Sequence, residues 1–108
     1  IFIIIITFMK LTAGLIKNKL TEVMDPELNV SIIDLGLVYK TKINKNKVKI
    51  IMTLTTIGCP LFSLIEQQVK EKIRELGVKE GDISLELTFD PPWTMEKMSR
   101  RGKAMLGI

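Results

Sequence analysis

The chain has 108 residues, of which 46% are hydrophobic, and its formal net charge is +4. This length gives room for one hydrophobic core, large enough to fold without a disulfide or a structural metal. The single cysteine excludes an internal disulfide, and the absence of histidine excludes Cys-His and Ser-His catalysis together with the commonest metal ligand.

The first residues differ in composition from the rest. Residues 1–8 read Ile-Phe-Ile-Ile-Ile-Ile-Thr-Phe, and as a helix they would span only about 12 Å of the ~30 Å hydrocarbon core of a membrane. No positive region precedes them and no small-residue cleavage site follows, so no secretory signal is predicted. We interpret residues 1–9 as a non-native, disordered or edge-strand hydrophobic segment, or an anchor for a partner, and residues 10–108 as one folded domain.

Two longer helices are predicted from the spacing of apolar residues. Thr12 caps the first, over 13–24, and Asp25 ends it because a residue before proline is pushed out of the α region. Pro60 occupies the first position of the second, over 60–76. The apolar positions are Leu15, Ile16, Leu20, Val23 and Met24 in one helix and Leu61, Ile65, Val69, Ile73 and Leu76 in the other.

Alternating apolar residues predict a hairpin over 37–43 and 47–55 and a third long strand over 83–89. In the second strand Val48, Ile50, Met52 and Leu54 share one face, and Thr53 and Thr55 take the other. A short helix is expected in 94–106, where Gly102 is unfavourable. The predicted fold class is α/β (α+β): a small mixed sheet of three to four strands with two helices packed on one face.

Cys59 lies at the predicted start of the second helix, between Gly58 and Pro60. If Pro60 is the first helical residue, the thiol lies among unpaired N–H groups at the positive end of the helix dipole, which favours the thiolate. Gly58 lets the backbone come close to whatever Cys59 contacts. The alternative is that Cys59 is a small buried hydrophobic residue.

Three acidic residues, Asp25, Glu27 and Asp34, fall in irregular segments. With a thiolate they could bind a metal transiently, or two could act as acid and base. The alternative is that they cap helices and form turns.

The run Asp90-Pro91-Pro92-Trp93 is a rigid corner that either docks a partner or closes the core with its tryptophan. Lys40, Lys42, Lys45, Lys47 and Lys49 could contact nucleic acid phosphates, but with only Tyr39 nearby for stacking, a solvated hairpin is favoured.

Taken together, these motifs resemble the SufT/PaaD-type (MIP-eighteen-like) family of metal–sulfur cluster assembly proteins, also called domain of unknown function fifty-nine. The similarity covers roughly residues 11–108 and rests on four stretches in the order of the family. They are Asp25-Pro26-Glu27-Leu28, Ile33-Asp34-Leu35-Gly36-Leu37-Val38-Tyr39, Met52-Thr53-Leu54-Thr55 with Gly58-Cys59-Pro60, and Asp90-Pro91-Pro92-Trp93 with Met98-Ser99 and Leu106-Gly107.

The resemblance implies a domain like the C-terminal domain of NifU-type scaffolds and a cytoplasmic, non-enzymatic role in iron–sulfur cluster assembly or targeting. It also implies that Cys59 is the functional thiol, supported by Asp25, Glu27, Thr53 and Thr55. No tightly bound cofactor is expected. Because a cluster needs about four ligands, any cluster at Cys59 would be transient and shared, for example across a homodimer.

The expected partners are apo iron–sulfur proteins and cluster carriers or scaffolds, such as a P-loop ATPase. No membrane is expected to be involved. Two other functions stay open: a thiol enzyme with Cys59 as nucleophile and Asp25 or Glu27 as base, and a nucleic-acid-binding module.

Overall fold

The computed structural model describes residues 11–55 and 62–108. The chain forms helix α1 (Ala13–Leu20), strands β1 (Val38–Asn44) and β2 (Lys47–Met52), helix α2 (Phe62–Arg74), strand β3 (Ile83–Leu87) and helix α3 (Arg100–Met105). Short 3-10 helices cover Glu80–Asp82 and Met95–Lys97. The predictions for residues 1–9 and for the start of the second helix at Pro60 lie outside the described residues.

The three strands form one mixed sheet with β2 in the centre. β1 pairs with β2 in the antiparallel direction, and β2 pairs with β3 in the parallel direction. The predicted hairpin is confirmed: Asn44 pairs with Lys47, and Lys45 makes the turn with a positive φ of 58°. The parallel pair requires a crossover between β2 and β3, which contains α2.

One face of the sheet carries the core together with both longer helices. Side chains from β2, α1 and α2 are almost fully buried there: Val48, Ile50, Met52, Ile16, Leu20, Ile65, Val69 and Ile73. α1 contacts both α2 and β1, and α2 contacts β3. Each such aliphatic side chain contributes about 1.5–3 kcal/mol on burial, and the α+β arrangement predicted from the sequence is confirmed.

Helix α1 is shorter than predicted. It begins at the Thr12 cap, whose Oγ1 accepts a hydrogen bond from the Leu15 N–H, but it ends at Leu20 instead of continuing to residue 24. Val23 is buried all the same, because its carbonyl accepts a hydrogen bond from the Ile32 N–H and the neighbouring residues 24 and 31 form a β-bridge. Val23 therefore has the spacing of a helical core residue, but it reaches the core from the loop that follows α1.

Two strands also end earlier than expected. β2 ends at Met52, and Thr53, predicted on the face opposite to Val48, Ile50 and Met52, is fully buried. The contact with β1 extends one residue further there, since the Thr53 N–H donates to the carbonyl of Leu37, the residue before β1. In β3 the predicted inward face is buried only at its start, and Leu87 is 37% exposed.

The C-terminal residues contain two short helices instead of one. Between them, Met98 enters the core and Ser99 caps α3 by accepting from the Gly102 N–H. Gly102 allows α3 to approach the 31–34 segment, because a Cβ there would lie 2.7 Å from the Asp34 carbonyl oxygen. In the described residues no helix is long and apolar enough to cross a membrane.

We expect Gly102→Ala to destabilise the fold by about 1–3 kcal/mol, because the new methyl group meets backbone that cannot move freely. The matched control is Gly14→Ala in α1, where the added Cβ makes only ordinary contact and should stabilise by about 0.5–1 kcal/mol. Urea denaturation measures both changes. Equal stability of the Gly102 variant and wild type would contradict the close packing of α3.

An ion-pair network joins the solvent faces of α1 and α2. Lys19 contacts Glu22 and Glu75, and Lys72 contacts the same two carboxylates, at 2.9–3.4 Å. The hydrogen bond from Lys72 lowers the pKa of Glu22, and that from Lys19 lowers the pKa of Glu75. The same contacts raise the pKa of both lysines.

This network gives the fold a defined acid sensitivity. Since each carboxyl has a lower pKa in the folded chain than its ordinary 4.5, the contacts stabilise the fold above that value and are lost as the pH falls through the folded pKa. The double variant Glu22→Gln/Glu75→Gln should lose less stability than wild type between neutral pH and about pH 3. Urea midpoints at each pH measure this. The control Glu66→Gln/Glu71→Gln, outside these ion pairs, should retain the wild-type loss.

Candidate functional site

A tight turn over residues 31–37 organises the centre of the site. The Ser31 hydroxyl accepts hydrogen bonds from the backbone N–H groups of Ile33 and Asp34, at 3.0 and 3.2 Å. Gly36 has a positive φ of 74°, and the next residue, Leu37, donates its N–H to the Ile32 carbonyl. This local pattern explains why a chain rich in β-branched residues turns here instead of extending as a strand.

The carboxylate of Asp34 connects this turn to the C-terminal residues. Its Oδ1 accepts from the Ser99 hydroxyl at 2.8 Å, and its Oδ2 accepts from Nε and Nη2 of Arg101 at 3.1 and 2.8 Å. The Asp34 carbonyl also accepts from the Ser99 N–H at 2.8 Å. We call this set of contacts between Asp34, Ser99 and Arg101 the Asp34 clamp. The Asp34 side chain is only 10% exposed, whereas that of Arg101 is 68% exposed.

The segment before Ser99 packs against the same turn. The indole N–H of Trp93 donates to the Leu35 carbonyl at 2.6 Å, and the ring packs against the core. The Lys97 backbone lies so close to Gly36 that any Cβ at that position would collide with the Lys97 carbonyl. Gly36 is therefore required both for its positive φ and for this contact.

The Asp90-Pro91-Pro92-Trp93 corner lies against the start of β1. The Tyr39 hydroxyl donates to the Pro91 carbonyl at 2.7 Å, and the Lys97 ammonium lies 5.0 Å from the centre of the Tyr39 ring. Asp90 is exposed, and its N–H donates to the hydroxyl of Thr88. The corner thus combines a half-buried tryptophan with exposed proline and aspartate side chains.

The threonines at the end of β2 reach the site from the other side. Thr53 is fully buried, and among the described residues its hydroxyl has no hydrogen-bond partner. Its backbone contact with Leu37 places it at the end of the 31–37 turn. Thr55 is partly exposed and is followed by residues 56–61, which lie outside the described residues together with the predicted site residues Gly58, Cys59 and Pro60.

The remaining two predicted site residues lie in the loop that follows α1. Asp25 is buried, and its Oδ1 accepts from the N–H groups of Glu27 and Leu28 at 2.8 and 3.0 Å. Asn29 closes this loop with a positive φ of 55°. Glu27 itself is exposed. Over residues 11–55 and 62–108, no three His, Cys, Asp or Glu side chains are grouped so that they could hold a metal ion.

The structure brings together one subset of the predicted residues around a common backbone. Asp34 belongs to the 31–37 turn. Trp93 donates a hydrogen bond to the Leu35 carbonyl of that turn, and the Thr53 N–H donates to its Leu37 carbonyl. Asp25 instead satisfies the N–H groups of its own loop. Asp25 and Asp34 both stabilise turns, which is the alternative that the sequence left open for the acidic residues.

Sequence reasoning missed the partners of Asp34. Ser99 had a local signal, because a serine immediately before a helical segment is a preferred N-cap. The pairing of Arg101 with Asp34 had none, since the two residues are 67 positions apart. Tyr39, considered only as a stacking ring, uses its hydroxyl to hold the proline corner.

The chain is similar to a known family and to several known proteins. Residues 15–85 match the iron–sulfur cluster assembly protein family. The chain is 43% identical over 94 residues to the Fe–S protein maturation auxiliary factor YitW of Bacillus subtilis, covering 86% of this chain and 91% of that protein. It is 41% identical over 87 residues to the Fe–S protein maturation auxiliary factor SufT of Staphylococcus aureus, covering 80% and 98% respectively.

A solved structure shows the same fold. The crystal structure of a domain of unknown function, DUF59, from Bacillus anthracis aligns with a TM-score of 0.78 at 40% identity and covers 88% of this chain and 91% of that one. The chain belongs to the iron–sulfur cluster assembly protein family, which confirms the resemblance inferred from the motifs.

We expect Asp34→Ala to destabilise the protein by about 2–3 kcal/mol, because it removes a nearly buried charged acceptor from Ser99 and Arg101. Arg101→Ala should cost less than about 1 kcal/mol, since that side chain is mostly in water. Urea unfolding followed by the fluorescence of Trp93, the chain's single tryptophan, measures both. A larger loss for the arginine variant would contradict the assignment of Asp34 as the centre of the clamp.

Proposed function

We propose that this chain is a non-enzymatic factor that helps to mature apo iron–sulfur proteins through a transient contact at the Cys59 thiol. The observation that carries the proposal is the family match over residues 15–85, together with the names of relatives more than 40% identical to this chain. The cysteine follows the end of β2, which the 31–37 turn holds through Leu37.

The cluster in this proposal is cargo rather than a resident cofactor. An iron–sulfur cluster takes about four protein ligands, and this chain supplies one thiol. Cys59 therefore acts together with ligands from elsewhere: a second copy of the chain, a small thiol, a cluster carrier such as a P-loop ATPase, or the apo protein itself. A cytoplasmic location fits, because the thiol buffers of that compartment keep a lone cysteine reduced.

Two of the acids near the site are engaged in structural hydrogen bonds. Both carboxylate oxygens of Asp34 are engaged by Ser99 and Arg101, and Oδ1 of Asp25 accepts two backbone N–H groups. A general base needs a lone pair within reach of the proton that it removes. Asp34 and Oδ1 of Asp25 thus hold turns together, and the chain has no histidine, so the exposed Glu27 is the remaining candidate base for the thiol-enzyme alternative.

The test is genetic complementation in a strain that lacks this protein. Wild-type protein should restore the activity of an iron–sulfur enzyme in cell extracts, whereas Cys59→Ser should restore little of it, because a serine hydroxyl does not form the soft metal bond of a thiolate. Ser63→Ala, which changes an exposed hydroxyl on α2, is the matched control and should behave as wild type.

Two results would contradict the proposal. If Cys59→Ser restored the full activity of the iron–sulfur enzyme, the thiol would have no role in maturation. Multiple turnovers of a thioester by the purified protein, abolished in Cys59→Ser, would identify a thiol enzyme instead of a maturation factor.

The buried hydroxyl of Thr53 offers a separate prediction. Replacement by valine keeps the shape and removes a polar atom that has no partner in the described residues, so Thr53→Val should be as stable as wild type or more stable by about 1 kcal/mol. If the hydroxyl supports the cysteine loop, the same variant should restore less iron–sulfur enzyme activity. Thr53→Ser keeps the hydroxyl and should reverse this pattern. Full activity of the valine variant would show that the hydroxyl has no functional role.

A further inference from the structure

A groove of about 910 Å³ lies on the face of the sheet opposite to the core. Three of its lining residues, Lys40, Ile51 and Glu86, are neighbours in register on the three strands. Because Ile50 and Met52 point into the core, the alternation of side chains along β2 turns Ile51 to the other face. The floor of the groove is therefore on the other side of the sheet from the core, and Lys17 of α1 and the C-terminal residues lie at its sides.

The floor of this outer groove is apolar. Ile51 faces outward here, and Ile33 and Val38, which also pack against the core, line the groove with the rest of their surface. Each of the three is only partly buried. Tyr39 lies beside them, with its hydroxyl held by the proline corner. Partly exposed aliphatic side chains grouped in a concave surface are typical of a site for another molecule.

Most of the carboxylates around the floor are neutralised by ion pairs. Of the three carboxylates that line the groove, Asp34 is paired with Arg101 and Glu86 with Lys49. Asp90 has no ion pair within the described parts of the chain.

Three lysines line the same groove: Lys17 from α1, Lys40 from β1 and Lys97 from the second 3-10 helix. None of them forms an ion pair with a described residue, whereas four other cations of the chain do. Three unpaired cations face one unpaired anion, so the groove has an excess of positive charge. Such an excess attracts an anionic partner and repels a cationic one.

We propose that the outer groove binds an extended acidic peptide segment of a partner protein. An extended chain places alternate side chains on opposite sides. Apolar side chains of the segment would contact Ile33, Val38 and Ile51, and its carboxylates would pair with the lysines at the sides. This inference rests on the proposed function for the identity of the partner, which would be an apo iron–sulfur protein or a cluster carrier.

A nucleic acid fits the groove less well. Single-stranded nucleic acids bind through successive aromatic platforms, and here the one aromatic ring, Tyr39, is already covered by the Lys97 ammonium. The carboxylates of Asp34, Glu86 and Asp90 along the groove would also lie near the phosphates. A peptide with spaced carboxylates avoids both problems, because it needs no stacking and can place its apolar side chains beside these acids.

The experiment measures binding of a defined probe to the purified full chain. The probe is a fluorescein-labelled heptapeptide of alternating leucine and glutamate, and its control has glutamine in place of each glutamate. Fluorescence anisotropy should show the glutamate peptide binding at least about tenfold more tightly than the control, with a loss of affinity when salt is raised from about 50 to about 300 mM. Equal binding of the two peptides would overturn the proposal.

Charge reversals locate the site. Lys40→Glu and Lys97→Glu should each weaken binding of the glutamate peptide about tenfold, since each replaces an attraction with a repulsion. Lys79→Glu makes the same change in net charge at an exposed position outside the groove and should change affinity less than about twofold. Lys40→Gln provides a milder variant, and Trp93 fluorescence verifies that each variant is folded. An equal effect of Lys79→Glu would show that only net charge matters, and would overturn the proposal.

Two further results separate the alternatives. A short oligothymidylate that binds more tightly than the peptide, and loses that binding in Lys40→Glu, would replace the peptide with a nucleic acid. If wild-type protein restores the iron–sulfur enzyme in cells but binds no acidic peptide, only the groove proposal fails. If wild-type protein restores nothing, the proposed function fails whatever the peptide result.

Discussion

The nearly buried carboxylate of Asp34 holds together parts of the chain that are far apart in sequence. It accepts hydrogen bonds from Ser99 and Arg101, and its own backbone is fixed by the Ser31 hydroxyl. A charged acceptor removed from water must have its lone pairs satisfied, or it destabilises the fold by several kcal/mol. The C-terminal residues satisfy this requirement, so α3, Ser99 and the Trp93 contact depend on the same turn.

The elements with strong periodicity were predictable, because their burial follows from the order of apolar residues alone. The alternation over 47–52 and the helical spacing of Ile65, Val69 and Ile73 produce the core that the structure shows. The ends of elements were not predictable in the same way. Val23 fits a helix, yet its carbonyl pairs with Ile32, a tertiary hydrogen bond that no local pattern records.

In the candidate site, too, the residues could be predicted from local motifs but their arrangement could not. Asp34, Trp93 and Thr53 could be singled out from motifs, but their arrangement around the carbonyls of Leu35 and Leu37 depends on contacts between distant segments. Gly102 illustrates the difference. Glycine has a poor helix propensity, so the sequence argues against a helix at this position. In the structure, however, the absence of a side chain at Gly102 allows α3 to lie against the Asp34 backbone.

The 31–37 turn connects the end of β2 with the outer groove, the two places on which the proposals depend. On one side it fixes the end of β2 through Leu37, at the strand that leads toward Cys59. On the other side Ile33 and Gly36 line the outer groove, next to Lys97, whose backbone packs on Gly36. A partner segment bound in the groove would therefore contact the same turn that supports the approach to the cysteine. The proposed binding of a partner and the proposed contact at the thiol would then both depend on this turn, because its hydrogen bonds hold the groove residue Ile33 and the end of β2 in one short segment.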